Sequence, residues 1–96
     1  MKILIVEDEK ALSDSMVEYL GEEGHHCEAT YNYFDALDKI GMYQYDCVVV
    51  DINLPDGNGL DLIRFIKKKS ILVGIIIISA LNSLENRIEG LEIGAD

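Results

Sequence analysis

Ninety-six residues make one small domain with chain enough for a modest core, and an apolar share of 49% argues against disorder. The net charge of −10, from 18 acidic against 8 basic residues, disfavours nucleic acid as a direct partner of this segment and leaves acidic clusters able to take up cations. Met1-Lys2-Ile3-Leu4 runs at once into acids and is no signal peptide, and the apolar run 71–78 is too short to cross a bilayer, so no membrane contact and a cytoplasmic location are expected.

Residues 3–6, Ile-Leu-Ile-Val, read as a buried strand that ends at Glu7-Asp8. Leu12, Met16, Val17 and Leu20 then recur at helical spacing, and Gly21 and Gly24 supply stop signals. The stretch from His26 to Thr30 is shorter and more polar, which suits a strand near a sheet edge. Asn32 offers an N-cap to a second helix, with Asp35 in its first turn, Tyr33, Ala36, Leu37 and Ile40 on one face, and Gly41 placed to end it.

A third strand spans 46–51, Asp-Cys-Val-Val-Val-Asp, and runs into a loop crowded with turn formers, Ile52-Asn53-Leu54-Pro55-Asp56-Gly57-Asn58-Gly59. Asp56 and Asn58 there read as loop and capping residues, not ligands. Leu60, Ile63 and Phe65-Ile66 mark a third helix that runs out in Lys67-Lys68-Lys69, where cations suit the helix dipole. Ile75-Ile76-Ile77-Ile78 is the least ambiguous strand, β-branched and apolar on both faces, and it ends at Ser79. Asn82 or Ser83 can cap a last helix with Leu84, Ile88 and Leu91 inward and Gly94 closing it.

Strands and helices alternate, and the strands need cover on both faces, so the expected fold is α/β: an open, doubly wound, mostly parallel sheet in one domain, 1–96. In such a sheet Glu7-Asp8, Asp51 and Ser79 emerge on one rim, because each ends a parallel strand. Three carboxylates gathered there repel one another unless a cation intervenes. Oxygen ligands without His or Cys point to Mg2+, which asks for few protein oxygens and keeps several waters. Asp51 is then placed to act as a nucleophile toward a phosphoryl group, with Ser79 as a hydrogen-bond donor to it. Blander roles exist for each residue taken alone: Asp8 can cap the first helix, Asp51 can start a turn, and Ser79 can merely end a strand. Cys27 and Cys47 have no metal spacing and read as core residues, and the adjacent His25-His26 point in different directions on a strand.

Taken together these motifs resemble the receiver domain of bacterial two-component response regulators, from Met1 to Asp96. Glu7-Asp8 looks like the family's acidic pair, Asp51 with Pro55 and Gly59 like its phosphorylation loop, and Ser79-Ala80 like its Ser/Thr-small pair. Gly90-Leu91 and Gly94-Ala95-Asp96 are similar to the end of its fourth helix and the turn beyond. The resemblance implies a flavodoxin-like receiver in which Asp51 accepts a phosphoryl group from a phosphohistidine on a sensor kinase. It implies Mg2+ held by Asp8 and Asp51 side chains, by Glu7 through water and by the Asn53 backbone carbonyl. Ser79 would move toward the phosphoryl group and shift the adjoining loop and the fourth helix, controlling an output domain not present in this chain, such as a DNA-binding one. The chemistry implied is self-phosphorylation and dephosphorylation, not enzymatic turnover of a metabolite.

The family continues with a fifth strand bearing an aromatic switch residue, a Lys-Pro pair and a fifth helix, and this chain stops at Asp96, where that strand would begin. The expectation is therefore a receiver lacking the fifth strand and fifth helix, with 75–78 as an unprotected edge prone to pair with a second copy. A second reading is a self-associating interaction module that is not productively phosphorylated. A third is an aspartyl-nucleophile phosphatase like the haloacid-dehalogenase family, which wants an acid where this chain has Asn53.

Overall fold

Alternating side chains explain why the strands lie at the centre of the molecule. The computed structural model describes residues 1–69 and 72–78. In chain order they form β1 (Lys2–Val6), α1 (Lys10–Glu22), β2 (His26–Thr30), α2 (Tyr33–Met42), β3 (Cys47–Asp51), the short pair β4 (Asn53–Leu54) and β5 (Gly57–Asn58), α3 (Gly59–Lys69) and β6 (Gly74–Ile78). The main sheet has the order β2-β1-β3-β6 with every pairing parallel. It is the expected doubly wound α/β sheet in flavodoxin-like order. The last helix and Ser79 lie outside the described residues.

Period-two alternation divides the core in two. Leu4 and Val6 of β1, Val48 and Val50 of β3 and Ile75 of β6 face one layer, packed with Ala36 and Ile40 of α2 and Leu60, Leu62, Ile63 and Ile66 of α3. Ile3, Ile5, Cys47 and Val49 face the other, where Met16, Val17 and Leu20 of α1 cover them. Cys27 and Cys47 both belong to this second layer, on either side of Ile3. Their expected role as core residues stands.

Several details differ from the expectation for physical reasons. Leu12 is 41% exposed, and its neighbour Ser13 is the buried residue of α1. Positions 13, 16, 17 and 20 make the inward stripe, and Leu12 sits about 100° off it. Gly21 lies inside α1, whereas Gly24, at φ +91°, is the residue that turns the chain. Gly24 N–H donates to the Gly21 carbonyl and His25 N–H to the Leu20 carbonyl, the paired bonds of a Schellman stop.

Asn32 caps α2 as expected, its Oδ1 accepting from Asp35 N–H at 2.8 Å. Gly41 does not end α2, which runs to Met42 with Tyr43 as its cap. There Lys69 at the end of α3 donates to the Ile40 and Tyr43 carbonyls, so the lysine run closes a neighbouring helix as well as its own. Phe65 is more exposed than its spacing implied, and Leu62 takes the inward position. In β6, Ile75 is buried while Ile76 is 49% exposed. At the other edge is β2, as its polarity suggested.

Candidate functional site

The site is built by strand register. Val6 of β1 lies beside Val50 of β3, so the next residues, Glu7 and Asp51, come out side by side at the carboxyl rim of the sheet. Glu7 N–H still donates to the Thr30 carbonyl at 3.1 Å, which keeps it in line with β1. Only 4% of Glu7 and 8% of Asp51 are exposed, whereas Asp8 is open to solvent. Each of the three residues offers a carboxylate oxygen, and these oxygens all lie within 4.8 Å of one another. No other group of this kind occurs among the described residues.

Crowding of like charge has an electrostatic cost. Burial, then the hydrogen bond and charge of Asp51, push the Glu7 carboxyl up to about 7, with a further hydrogen bond to Asp8 in the same direction. The Glu9 N–H, 3.4 Å from Glu7 Oε2, works against the rise. A cation placed between Glu7 and Asp51 would relieve that crowding. An all-oxygen donor set with this much repulsion fits a hard divalent cation such as Mg2+. The residues present suit the ion that the sequence implied.

Beyond Asp51 the chain doubles back on itself. Asn53 N–H donates to Asp51 Oδ1 at 3.1 Å, and β4 and β5 pair Asn53 with Asn58 and Leu54 with Gly57. Gly59 N–H then donates to the Ile52 carbonyl at 2.8 Å, closing the loop, and Asn58 Oδ1 accepts from Leu60 N–H at 2.8 Å to start α3. Asn58 is thus a cap, as expected.

Asp56 caps too, though not the helix that follows it. Its carboxylate accepts from Tyr33 N–H at 2.5 Å and Phe34 N–H at 3.1 Å, at the start of α2. No sequence signal links positions 23 residues apart. Of the expected site residues, Glu7, Asp8 and Asp51 converge, Asn53 lies on the adjoining loop, and Ser79 lies outside the described residues. Gly59, read from the sequence as a turn former of this loop, has a further role in the fold: its lack of a side chain lets α3 begin against the Asp51 backbone. The histidines form no site: His25 Nδ1 meets the N-terminal amine at 3.1 Å, and His26 faces Glu28 at 3.6 Å.

An open parallel sheet with three carboxylates gathered at its carboxyl rim, two of them buried, defines a class of α/β proteins that bind ligands at strand ends. The model of the response regulator receiver domain matches residues 3–96, and the chain belongs to that family. It is 38% identical over its whole length to the two-component response regulator PhoP of Pseudomonas aeruginosa, of which it covers 43%. It is 36% identical to the transcriptional regulatory protein CusR of Escherichia coli K12, again over its whole length and 42% of that protein. The chain thus spans less than half the length of these curated relatives. A CheY-like receiver domain protein from Methanospirillum hungatei superposes with a TM-score of 0.95 at 34% identity, covering 99% of this chain and 76% of that one.

Proposed function

We propose that the chain is a phosphoacceptor receiver in which Asp51 takes a phosphoryl group from a phosphohistidine of a sensor histidine kinase. The observation that carries this reading is the convergence of Glu7, Asp8 and Asp51, two of them nearly out of contact with water. A Mg2+ ion held by Asp8 and Asp51, by Glu7 through water and by the Asn53 carbonyl would offset the charge that otherwise keeps an anionic phosphoryl group away. An Asp51 carboxylate oxygen forms a bond to phosphorus as the bond from phosphorus to the imidazole nitrogen breaks, the electron pair staying with the imidazole. Burial of Glu7 and Asp51 keeps competing water from their inner sides. Ser79, next after β6, then donates to the phosphoryl oxygens and passes the change on.

In the longer protein that the relatives exemplify, this event controls an output domain. The likeness to CusR, a transcriptional regulatory protein, favours a DNA-binding one. The segment itself makes no direct contact with nucleic acid, in keeping with its charge of −10. The domain works in the cytoplasm, and no described helix is long and apolar enough to cross a membrane. It is not an enzyme for a metabolite.

Incubation with Mg2+ and acetyl phosphate, read by intact mass, tests the reading. One added phosphoryl group that disappears in Asp51→Asn and in EDTA is the expected result. Absence of any Mg2+-dependent addition leaves the second reading, an interaction module that pairs with another copy through β6. The half-exposed Ile76 favours that association in either case. Light scattering that finds only monomer at high concentration removes it.

A further inference from the structure

The loop beyond the phosphoacceptor has two anchorages of different kinds. Its inner limb is held by the sheet: Ile52 and Leu54 are buried, and Ile52 N–H donates to the Ile78 carbonyl at 3.2 Å. The outer limb is held by the β4–β5 pair, two residues on each side and too short to keep its own shape in water, and at its far end by Gly59 N–H on the Ile52 carbonyl. Its tip is Pro55-Asp56, and there the second anchorage lies.

Both oxygens of Asp56 are engaged by consecutive backbone N–H groups, those of Tyr33 and Phe34, while Asn32 serves Asp35 N–H. The first turn of α2 therefore receives its acceptors from two different places, one local and one from the phosphoacceptor loop. A carboxylate at the positive end of a helix makes this tether charge-assisted. Next to it, Gly57 lies under Tyr33, and a Cβ on Gly57 would stand 2.6 Å from Tyr33 Cγ and 2.9 Å from Tyr33 Cβ. The Phe34 ring packs edge-on against the Tyr33 ring at 5.4 Å. Helix and loop are thus in contact through backbone, charge and an aromatic ring at one point.

We propose that Asp56 is a positioning residue for the cation site: by binding the N-terminus of α2 it holds the loop that carries Asn53 in the shape that Mg2+ needs. Asp56 does not touch the ion; it acts through the short stretch of loop between itself and Asn53. The inference rests on the receiver reading, since it supposes that the ion takes an oxygen from Asn53. It also gives α2 a direct mechanical connection to the phosphoacceptor, separate from the strand end where Ser79 lies.

Calorimetric titration with Mg2+ alone tests it, on the wild-type chain and on Asp56→Ala, Asp56→Asn and Asn32→Ala. Asn32→Ala removes the local cap of the same helix turn and controls for a simple loss of helix stability. The expected result is a Mg2+ affinity three- to tenfold weaker in Asp56→Ala. Asp56→Asn, which keeps one acceptor oxygen, falls between, and Asn32→Ala stays within twofold of wild type despite a comparable fall in Tm. Equal Mg2+ affinities for Asp56→Ala and wild type, or equal losses in Asp56→Ala and Asn32→Ala, overturn the inference and leave the receiver reading standing. A wild-type chain that binds no Mg2+ overturns both.

Discussion

Gly59 begins α3 directly against the backbone carbonyl of Asp51, with no room for even one methyl group between them. A Cβ built on Gly59 would overlap that carbonyl oxygen and stand 2.8 Å from Val50 Cγ1. Neither neighbour can yield, since one is strand backbone and the other a buried core side chain. Gly59→Ala is expected to cost about 2–3 kcal/mol of stability through overpacking and to weaken Mg2+ binding with it. Urea unfolding followed by circular dichroism checks the first part and calorimetry the second. A fully stable variant would mean that Asp51 and α3 can separate freely.

Glu7 gives the metal-free protein a pH dependence with a definite sign. Its carboxyl lies at about 7 in the folded chain against 4.5 for the ordinary side chain. A raised carboxyl means that the folded state holds a proton the unfolded state releases. The stability this group contributes is therefore complete below pH 4.5 and is lost as pH rises through about 7. The slope in that window approaches about 1.4 kcal/mol per pH unit at most. In EDTA, Tm should fall more steeply from pH 5 to 7.5 for wild type than for Glu7→Gln. Mg2+ added at pH 7.5 should restore wild type by binding the ionised cluster. Parallel pH profiles for the two proteins would show that Glu7 carries no such proton.

Away from the site, Tyr45 supports the opposite end of the sheet. Its buried hydroxyl donates to Glu28 Oε1 at 2.5 Å, across from Lys39 at 3.8 Å, and Lys2 Nζ lies 5.1 Å from its ring centroid. That hydrogen bond holds the Glu28 carboxyl below its usual range, and burial first, then Glu28, pushes the Tyr45 phenol upward. Tyr45→Phe should lose about 1.5–3 kcal/mol, the worth of a hydrogen bond to a charged acceptor. The loss should shrink on acidification, as Glu28 takes up its proton below pH 4.5. Chemical denaturation at pH 7 and pH 3.5 measures both.

Ser13 is the one buried side-chain polar atom among the described residues with no hydrogen-bond partner. Its hydroxyl forfeits hydration on folding and gains nothing in exchange. Ser13→Ala removes that penalty, leaves almost no cavity and improves helix propensity. A gain of about 1 kcal/mol in thermal or urea unfolding is expected. Destabilisation instead would reveal a function for the hydroxyl.

Periodicity and chain order made much of this protein legible in its sequence. Runs such as Val48-Val49-Val50 need cover on both faces, and alternating strands and helices can supply it in few ways, so the parallel sheet and its acidic rim could be read off. Glu7, Asp8 and Asp51 were found because each sits where a buried strand meets solvent, a position visible in one dimension. The exchange of Leu12 for Ser13 was less legible, since a helix of this length fixes its rotation only by docking on a sheet. Two matters needed the tertiary structure altogether. Glu7 acquires its raised carboxyl only when β1 and β3 pair and water is excluded, because electrostatics depends on distance and burial. Asp56 finds α2 only when the chain is folded, since a hydrogen bond across 23 residues leaves no trace in local pattern. Local order determined the strands, the rim and the acids on it; three-dimensional proximity decided how those acids share their charge and what holds their loop.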